Sequence, residues 1–151
     1  MLERRCLRLP AEINTMKIKH TSTVQFYDTD CGGVVSNIAY LRFVEQARTE
    51  LFQNLGMGLA EMNETQLFPA IVRTEIDYRS PAKLGDAIIV TATLAKVEKV
   101  RATCSFLLET EREPGKTLLL VSAKQIIALV QMPSGRPRRM PAEWADHANL
   151  E

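Results

Sequence analysis

The chain has 151 residues, 46% of them hydrophobic and 25% charged, with a formal net charge of +1; this suits one globular domain with a sizeable core and excludes a disordered or fibrous chain. Near-neutral charge gives no case for binding nucleic acid or an anionic membrane surface, and no run approaches the roughly 18 apolar residues of a membrane span. Cys6, Cys31 and Cys104 are odd in number and far apart, which argues against a disulfide framework or a four-cysteine zinc site and for a reducing cytoplasm.

Residues 1–15 carry adjacent arginines but no apolar run of signal-peptide length, and are expected to be a loosely ordered extension before a single domain over 16–151. From Lys17 to Tyr27 the residues alternate as a strand does, with Ile18, Val24 and Phe26 sharing a parity. The run stops at Asp28-Thr29-Asp30-Cys31-Gly32-Gly33, a turn-forming cluster of acids and glycines. Ser36 and Asn37, both good capping types, then introduce a helix whose wheel gathers Tyr40, Leu41, Phe43, Val44, Ala47, Leu51, Phe52 and Leu55 on about half the circumference. Arg42, Gln46, Thr49 and Gln53 hold the other side, and Gly56 ends the helix.

From about Leu67 onward the pattern is strands. Val72, Thr74, Ile76 and Tyr78 face opposite to Arg73, Glu75, Asp77 and Arg79, before Ser80-Pro81 and Gly85-Asp86 break and turn the chain. Ile88, Val90, Ala92 and Leu94 alternate next, then Ala102, Cys104, Phe106 and Leu108. A turn at 113–116 leads into the long apolar run from Leu118 to Val130, which suits a strand buried on both faces. Pro133-Ser134-Gly135 closes it and a basic tail follows. Four strands joined by short turns are expected to be antiparallel neighbours, curling as one sheet around the one long helix.

Chemistry concentrates in residues 26–40, where two carboxylates and two glycines stand immediately before that helix. A helix N-terminus offers unpaired amides and a positive dipole end, which can polarise a carbonyl and hold its oxyanion. A nearby carboxylate can activate water or attack the carbonyl itself, and glycines let a substrate approach the backbone. The pattern D-T-D-x-G-G-V-V-S-N-x-x-Y, followed by Glu45, Ala47 and Arg48, resembles the 4-hydroxybenzoyl-CoA thioesterase family, in the branch of acyl-CoA thioesterases associated with the Tol-Pal system. The likeness continues through residues 71–86 and 134–141 and covers roughly residues 17–143.

That resemblance implies an α+β hotdog fold, an antiparallel sheet wrapped around a long central helix, and thioester hydrolysis without metal or cofactor. It implies Asp30 as the catalytic carboxylate and Asn37 as the residue whose backbone N–H faces the thioester carbonyl, with Gly33 and Tyr40 beside the substrate. Relatives in that branch often carry histidine where this chain has Asn37; the backbone contact survives the change, and any work done by the imidazole does not. The resemblance also implies that Lys99, Arg101, Arg136, Arg138 and Arg139, which correspond approximately to basic segments of the family, meet the phosphates of CoA. A homodimer or homotetramer with sites at the subunit interface is also implied, and an exposed sheet edge asks for such cover.

Each residue has a blander reading. Asp28 suits a turn-holding role, and a calcium loop fails because Ala39 stands where the bidentate glutamate belongs. Glu45 and Arg48 suit an ion pair steadying the helix. Cys31 lacks a nearby histidine to activate it, and its neighbouring carboxylate disfavours a thiolate. His20 and His147 are read as surface residues. A hotdog hydratase or dehydratase would need a histidine paired with an acid, and residues 21–146 contain no histidine. A non-catalytic acyl-CoA-binding or protein-interaction module is the remaining alternative, from which Asp30 separates an enzyme.

Overall fold

The computed structural model describes residues 15–148, so the expected N-terminal extension lies, except for Thr15, outside the described residues. One antiparallel sheet runs in the order β1 (Lys17–Thr23), β3 (Ala87–Val97), β4 (Ala102–Glu113), β5 (Lys116–Gln131), β2 (Leu67–Tyr78), and the short β6 (Arg136–Arg138) folds back onto β5. The long helix α1 (Asn37–Asn54) lies against β1 and β3, inside the curl of the sheet, and the short α2 (Leu59–Thr65) follows it. This is the expected hotdog architecture.

Period-two patterning locates the core. Ile88, Val90, Ala92 and Leu94 of β3 and Ala102, Cys104, Phe106 and Leu108 of β4 all point inward and are buried. They meet Tyr40, Phe43, Val44, Ala47, Leu51 and Phe52 of α1, each large apolar side chain contributing roughly 1.5–3 kcal/mol by leaving water. Leu41, placed by the wheel on the apolar side, is instead 41% exposed. Trp144, in a 3₁₀ turn over Ala142–His147, stacks on Phe52 with centroids 5.5 Å apart and donates to the Leu55 carbonyl at 3.1 Å. The tail expected to be merely basic thus plugs the C-terminal end of α1.

Four expectations are corrected. The first strand ends at Thr23, where a 3₁₀ turn over Phe26–Asp28 rotates Phe26 out to 81% exposure. The short helix α2 is an addition; its seven residues are too few to show a helical period, and Gln66 at φ 56° ends it. β2 and β3 are consecutive but not neighbours, because the chain between them crosses to the other side of the sheet and β2 pairs with β5 along the far edge. β5 is buried on one face only: Val121, Ala123, Gln125, Ile127 and Leu129 face α1's side, while Ser122, Ile126, Ala128 and Val130 are half-exposed. Its long apolar run reflects a central strand flanked by β4 and β2, with a helix layer on one side alone.

Candidate active site

The site is assembled where β1 hands over to α1. Asp28, 1% exposed, accepts the Gln25 amide through Oδ2 at 2.8 Å and pairs through Oδ1 with the Arg42 guanidinium, while its carbonyl accepts the Ser36 amide at 2.8 Å. Arg42 in turn lies over the rings of Tyr27 and Phe43, 5.2 and 4.9 Å from their centroids. Asp28 therefore sits as a turn-holding residue would, and it also ties the acidic loop to the second turn of α1. Arg42, which the wheel left on the polar side, is the partner the sequence did not reveal.

Two residues on, the loop closes tightly. Gly33 donates its amide to the Asp30 carbonyl at 3.0 Å, and Asp30 donates to the Val34 carbonyl at 2.9 Å. Gly33 has φ +73°, in the left-handed region where a side chain is strained. The Asp30 side chain is exposed, and its Oδ1 accepts the Gly32 amide at 2.8 Å. A Cβ on Gly32 would come within 3.0 Å of that same Oδ1. Gly32→Ala should consequently re-aim the Asp30 carboxylate; if that carboxylate acts on substrate, activity should fall by up to about 100-fold, the scale on which a misplaced reacting group acts. Steady-state assay beside an unchanged unfolding curve checks this.

Ser36 occupies the N-cap of α1 with its side chain capping nothing, and the Asn37 amide has no acceptor among the described residues. Asn37, at a helix start where backbone donors go unsatisfied, lines a cleft of about 350 Å³ together with Asp30, Tyr40 and Tyr78. Tyr78 donates its hydroxyl to the Asn37 carbonyl at 3.2 Å. Tyr40 is buried, its ring tilted against Tyr78 at 5.8 Å between centroids, and its hydroxyl accepts the Ala82 amide at 2.9 Å. Burial first, and Asp86 further, push the Tyr40 hydroxyl above its ordinary pKa, so it stays protonated beside the cleft. Asp30, Asn37 and Tyr40 are thus brought together; Gly33 shapes the loop beneath. Cys31 is exposed, whereas Cys104 is buried in the core, where desolvation pushes its thiol up to about 12.

The segment over residues 79–86 forms the outer wall, contributing Arg79, Ser80 and Pro81 to the cleft. Sequence reading treated it as a break between strands and missed these positions; the Tyr-Arg-Ser-Pro run was the available signal. The wall is clamped by Arg112, which donates to Asp86 Oδ2 and to the Pro81 carbonyl, both at 2.8 Å, and by the Lys83 amide, which donates to Asp86 at 2.9 Å. Burial alone would raise the Asp86 carboxyl, but Arg112 and the Lys83 amide outweigh it and hold it below its ordinary value of 3.8. A depressed carboxyl stabilises the fold above the ordinary value and loses that contribution as pH falls through the depressed one. The stability advantage of wild type over Asp86→Asn should therefore be full at neutral pH and shrink below about pH 4, as thermal melts across pH would show.

Residues outside the cleft have partners of their own. Glu45 and Arg48 form the expected partly buried ion pair at 3.8 Å, with Arg48 15% and Glu45 66% exposed. Arg48, largely buried, also donates to Gln125 at 2.8 Å, and Gln125 donates to Thr74 at 3.2 Å, linking α1 through β5 to β2. His20 is not a free surface residue: it bonds Glu50 at 2.9 Å and Ser22 at 3.1 Å. His147 is half-buried, and its carbonyl accepts the Met16 amide at 2.7 Å.

The two basic segments do converge. Arg101 precedes Ala102, which pairs with Ile127, Arg138 pairs with Leu129, and the Met140 amide donates to the Lys99 carbonyl at 3.0 Å. Lys99, Arg101, Arg136, Arg138 and Arg139 form no salt bridge among the described residues. Within one chain, however, this cluster is not beside Asp30. It lies near Pro69, whereas the cleft lies at Tyr78, nine residues away along β2, or roughly 30 Å at ~3.3 Å per residue.

With this geometry in hand, residues 24–147 match the thioesterase-like superfamily, and the acyl-CoA thioesterase YbgC of Haemophilus influenzae is 36% identical over 121 residues, 80% of this chain and 85% of that protein. The chain belongs to the thioesterase-like superfamily. Among solved structures, a probable thioesterase from Bartonella henselae is similar at 26% identity and TM-score 0.70, covering 84% of this chain and all of that one (100%). A 4-hydroxybenzoyl-CoA thioesterase solved with 4-hydroxybenzoyl-CoA superposes at TM-score 0.79 over 89% of this chain and 100% of its own. At 16% identity that last likeness is one of fold. Family membership thus agrees with what the D-T-D-x-G-G motif implied.

Proposed function

We propose that the protein is an acyl-CoA thioesterase that hydrolyses an acyl-CoA to free acid and CoA, with Asp30 as general base or nucleophile. The observation that carries this reading is one cleft holding both an exposed carboxylate and an unpaired amide at the start of α1. The thioester oxygen rests against the Asn37 amide, and Asp30 lies beneath the carbonyl carbon. Asp30 either takes a proton from attacking water or adds to the carbon itself to give a mixed anhydride that water then opens. Both routes expel CoA as a good leaving thiolate. General-base help is worth roughly 10²–10⁴-fold and a backbone oxyanion donor about 10²–10³-fold, so these two devices suffice in combination. A hydratase is disfavoured because the histidine–acid pair, His20 with Glu50, sits 13 residues along α1 from Asn37, about 20 Å at ~1.5 Å per residue.

The working unit we infer is a homodimer or larger homo-oligomer. β2 is a twelve-residue edge strand with Ile71 and Val72 exposed, a long unpaired edge of the kind that is normally covered. Antiparallel pairing of two β2 edges about a twofold axis sets the Leu67 end of one copy beside the Tyr78 end of the other. The basic cluster of each chain then reaches the cleft of its partner, where the phosphates of CoA would find charge-assisted contacts. The exposed Cys31 thiol suits a reducing, cytoplasmic setting.

The test is release of free thiol from acetyl-, octanoyl-, palmitoyl- and benzoyl-CoA by the purified protein. Turnover of one or more is expected; silence across the panel favours a module that binds acyl-CoA without cleaving it.

A further inference from the structure

Asp30 lines two clefts at once. Beyond the one shared with Asn37 and Tyr78, a second of about 460 Å³ is lined by Asp30 with Phe26, Thr29, Cys31, Gly33 and Leu84, so that Asp30 is the residue the two share. Phe26 is 81% exposed and Leu84 56%, so neither contributes its apolar area to the core. Both flank the proposed catalytic carboxylate.

A thioester diverges from its carbonyl carbon in two arms of different chemistry. If Asp30 reaches that carbon, the arms must leave it in different directions, and two clefts that meet at Asp30 take one each. The first offers Arg79, Ser80 and the Tyr78 hydroxyl, donors and acceptors that suit the amides of pantetheine. It also opens beside the Tyr78 end of β2, where the partner's basic cluster would stand. The second presents two large apolar side chains and, besides Asp30, no charged one. Its size is that of an ordinary small-molecule pocket.

We infer that Phe26 and Leu84 form the acyl subsite, favouring an aliphatic chain of medium length, while the CoA arm leaves over Tyr78 and Arg79. The inference rests on the thioesterase reading and names the substrate class for that same site. Phe26 and Leu84 thereby set chain-length preference without taking part in the chemistry.

The test compares kcat/KM for acetyl-CoA and octanoyl-CoA in wild type, Phe26→Ala, Phe26→Leu, Leu84→Gln and Tyr78→Ala, with circular dichroism confirming that each variant is folded. The octanoyl-to-acetyl ratio should fall roughly ten- to hundredfold in Phe26→Ala, the scale of losing the apolar area that an octanoyl chain and the Phe26 ring would bury in each other. It should fall by a smaller factor in Leu84→Gln and be largely restored in Phe26→Leu. Tyr78→Ala should change both substrates by one common factor. A ratio that ignores Phe26 and Leu84, or moves only with Tyr78→Ala, overturns the assignment, as does a wild type that cleaves benzoyl-CoA but not octanoyl-CoA. A wild type that cleaves no acyl-CoA overturns the thioesterase reading itself, an outcome visible before any variant is made.

Discussion

Replacing Asp30 by asparagine is expected to lower kcat on any acyl-CoA the protein turns over by roughly 10²–10⁴-fold, the usual worth of a positioned base. The substitution is nearly isosteric. The amide oxygen can still accept the Gly32 N–H that Oδ1 accepts at 2.8 Å, so the turn and its neighbour Gly33 keep their geometry. What disappears is the negative charge, and with it both the capacity to take a proton from water and the capacity to attack carbon. Because the side chain is exposed and outside the core, the unfolding free energy should stay within about 0.5 kcal/mol of the parent. KM should change little, since the role proposed for the carboxylate is confined to the reacting carbon. Wild-type kcat in Asp30→Asn would remove Asp30 from the chemistry.

The largest effect on stability is expected from Phe43→Ala, at about 3–5 kcal/mol. Phe43 is 0% exposed, packs edge-on to Tyr40 with centroids 6.4 Å apart, and carries Arg42 over its ring. Truncation opens a cavity between α1 and the sheet and removes one side of the cage around Arg42, loosening its pair with buried Asp28. Against a typical total of about 5–15 kcal/mol, the loss should appear as a large drop in the urea midpoint with an unchanged slope. Below its own melting range the variant should retain part of its activity, because Asp30 and the Asn37 amide are positioned by the Asp30–Gly33 turn and the helix start rather than by the ring.

Local patterning made the inner face of the sheet legible. Residues 88–94 and 102–108 alternate without interruption, and the structure buries each inward position. The helix was equally plain, from Ser36 at its N-cap to Gly56 at φ +76° beyond its end. What failed was whatever depends on partners far along the chain. Alternation in residues 72–78 identified a strand but could not say that it pairs with β5 across the sheet instead of with the next strand. The run from Leu118 to Val130 looked fully buried because apolar content does not reveal whether one or both faces are covered. The same limit applied at the site. Asp30, Asn37 and Tyr40, close in sequence, were singled out by their motif and line one cleft, whereas Arg42 with Asp28, and Tyr78, Arg79 and Pro81 as walls, arise from tertiary approach. The basic segments were recognised separately, and only the pairing of β6 with β5 puts them in one patch.

Placement of β2 at the far edge has a consequence for how the molecule is made. Among the described residues its only partner strand is β5, whose paired residues are synthesised 43 to 64 positions later (Tyr78 with Val121, Leu67 with Gln131). A nascent or prematurely ended chain that stops short of Gln131 must therefore hold a long segment with bare amides and carbonyls, awaiting a mate that has not emerged. Such non-local closure slows folding and leaves the intermediate prone to association with its own kind, so chaperone demand during translation should depend more on β5 than on the helix.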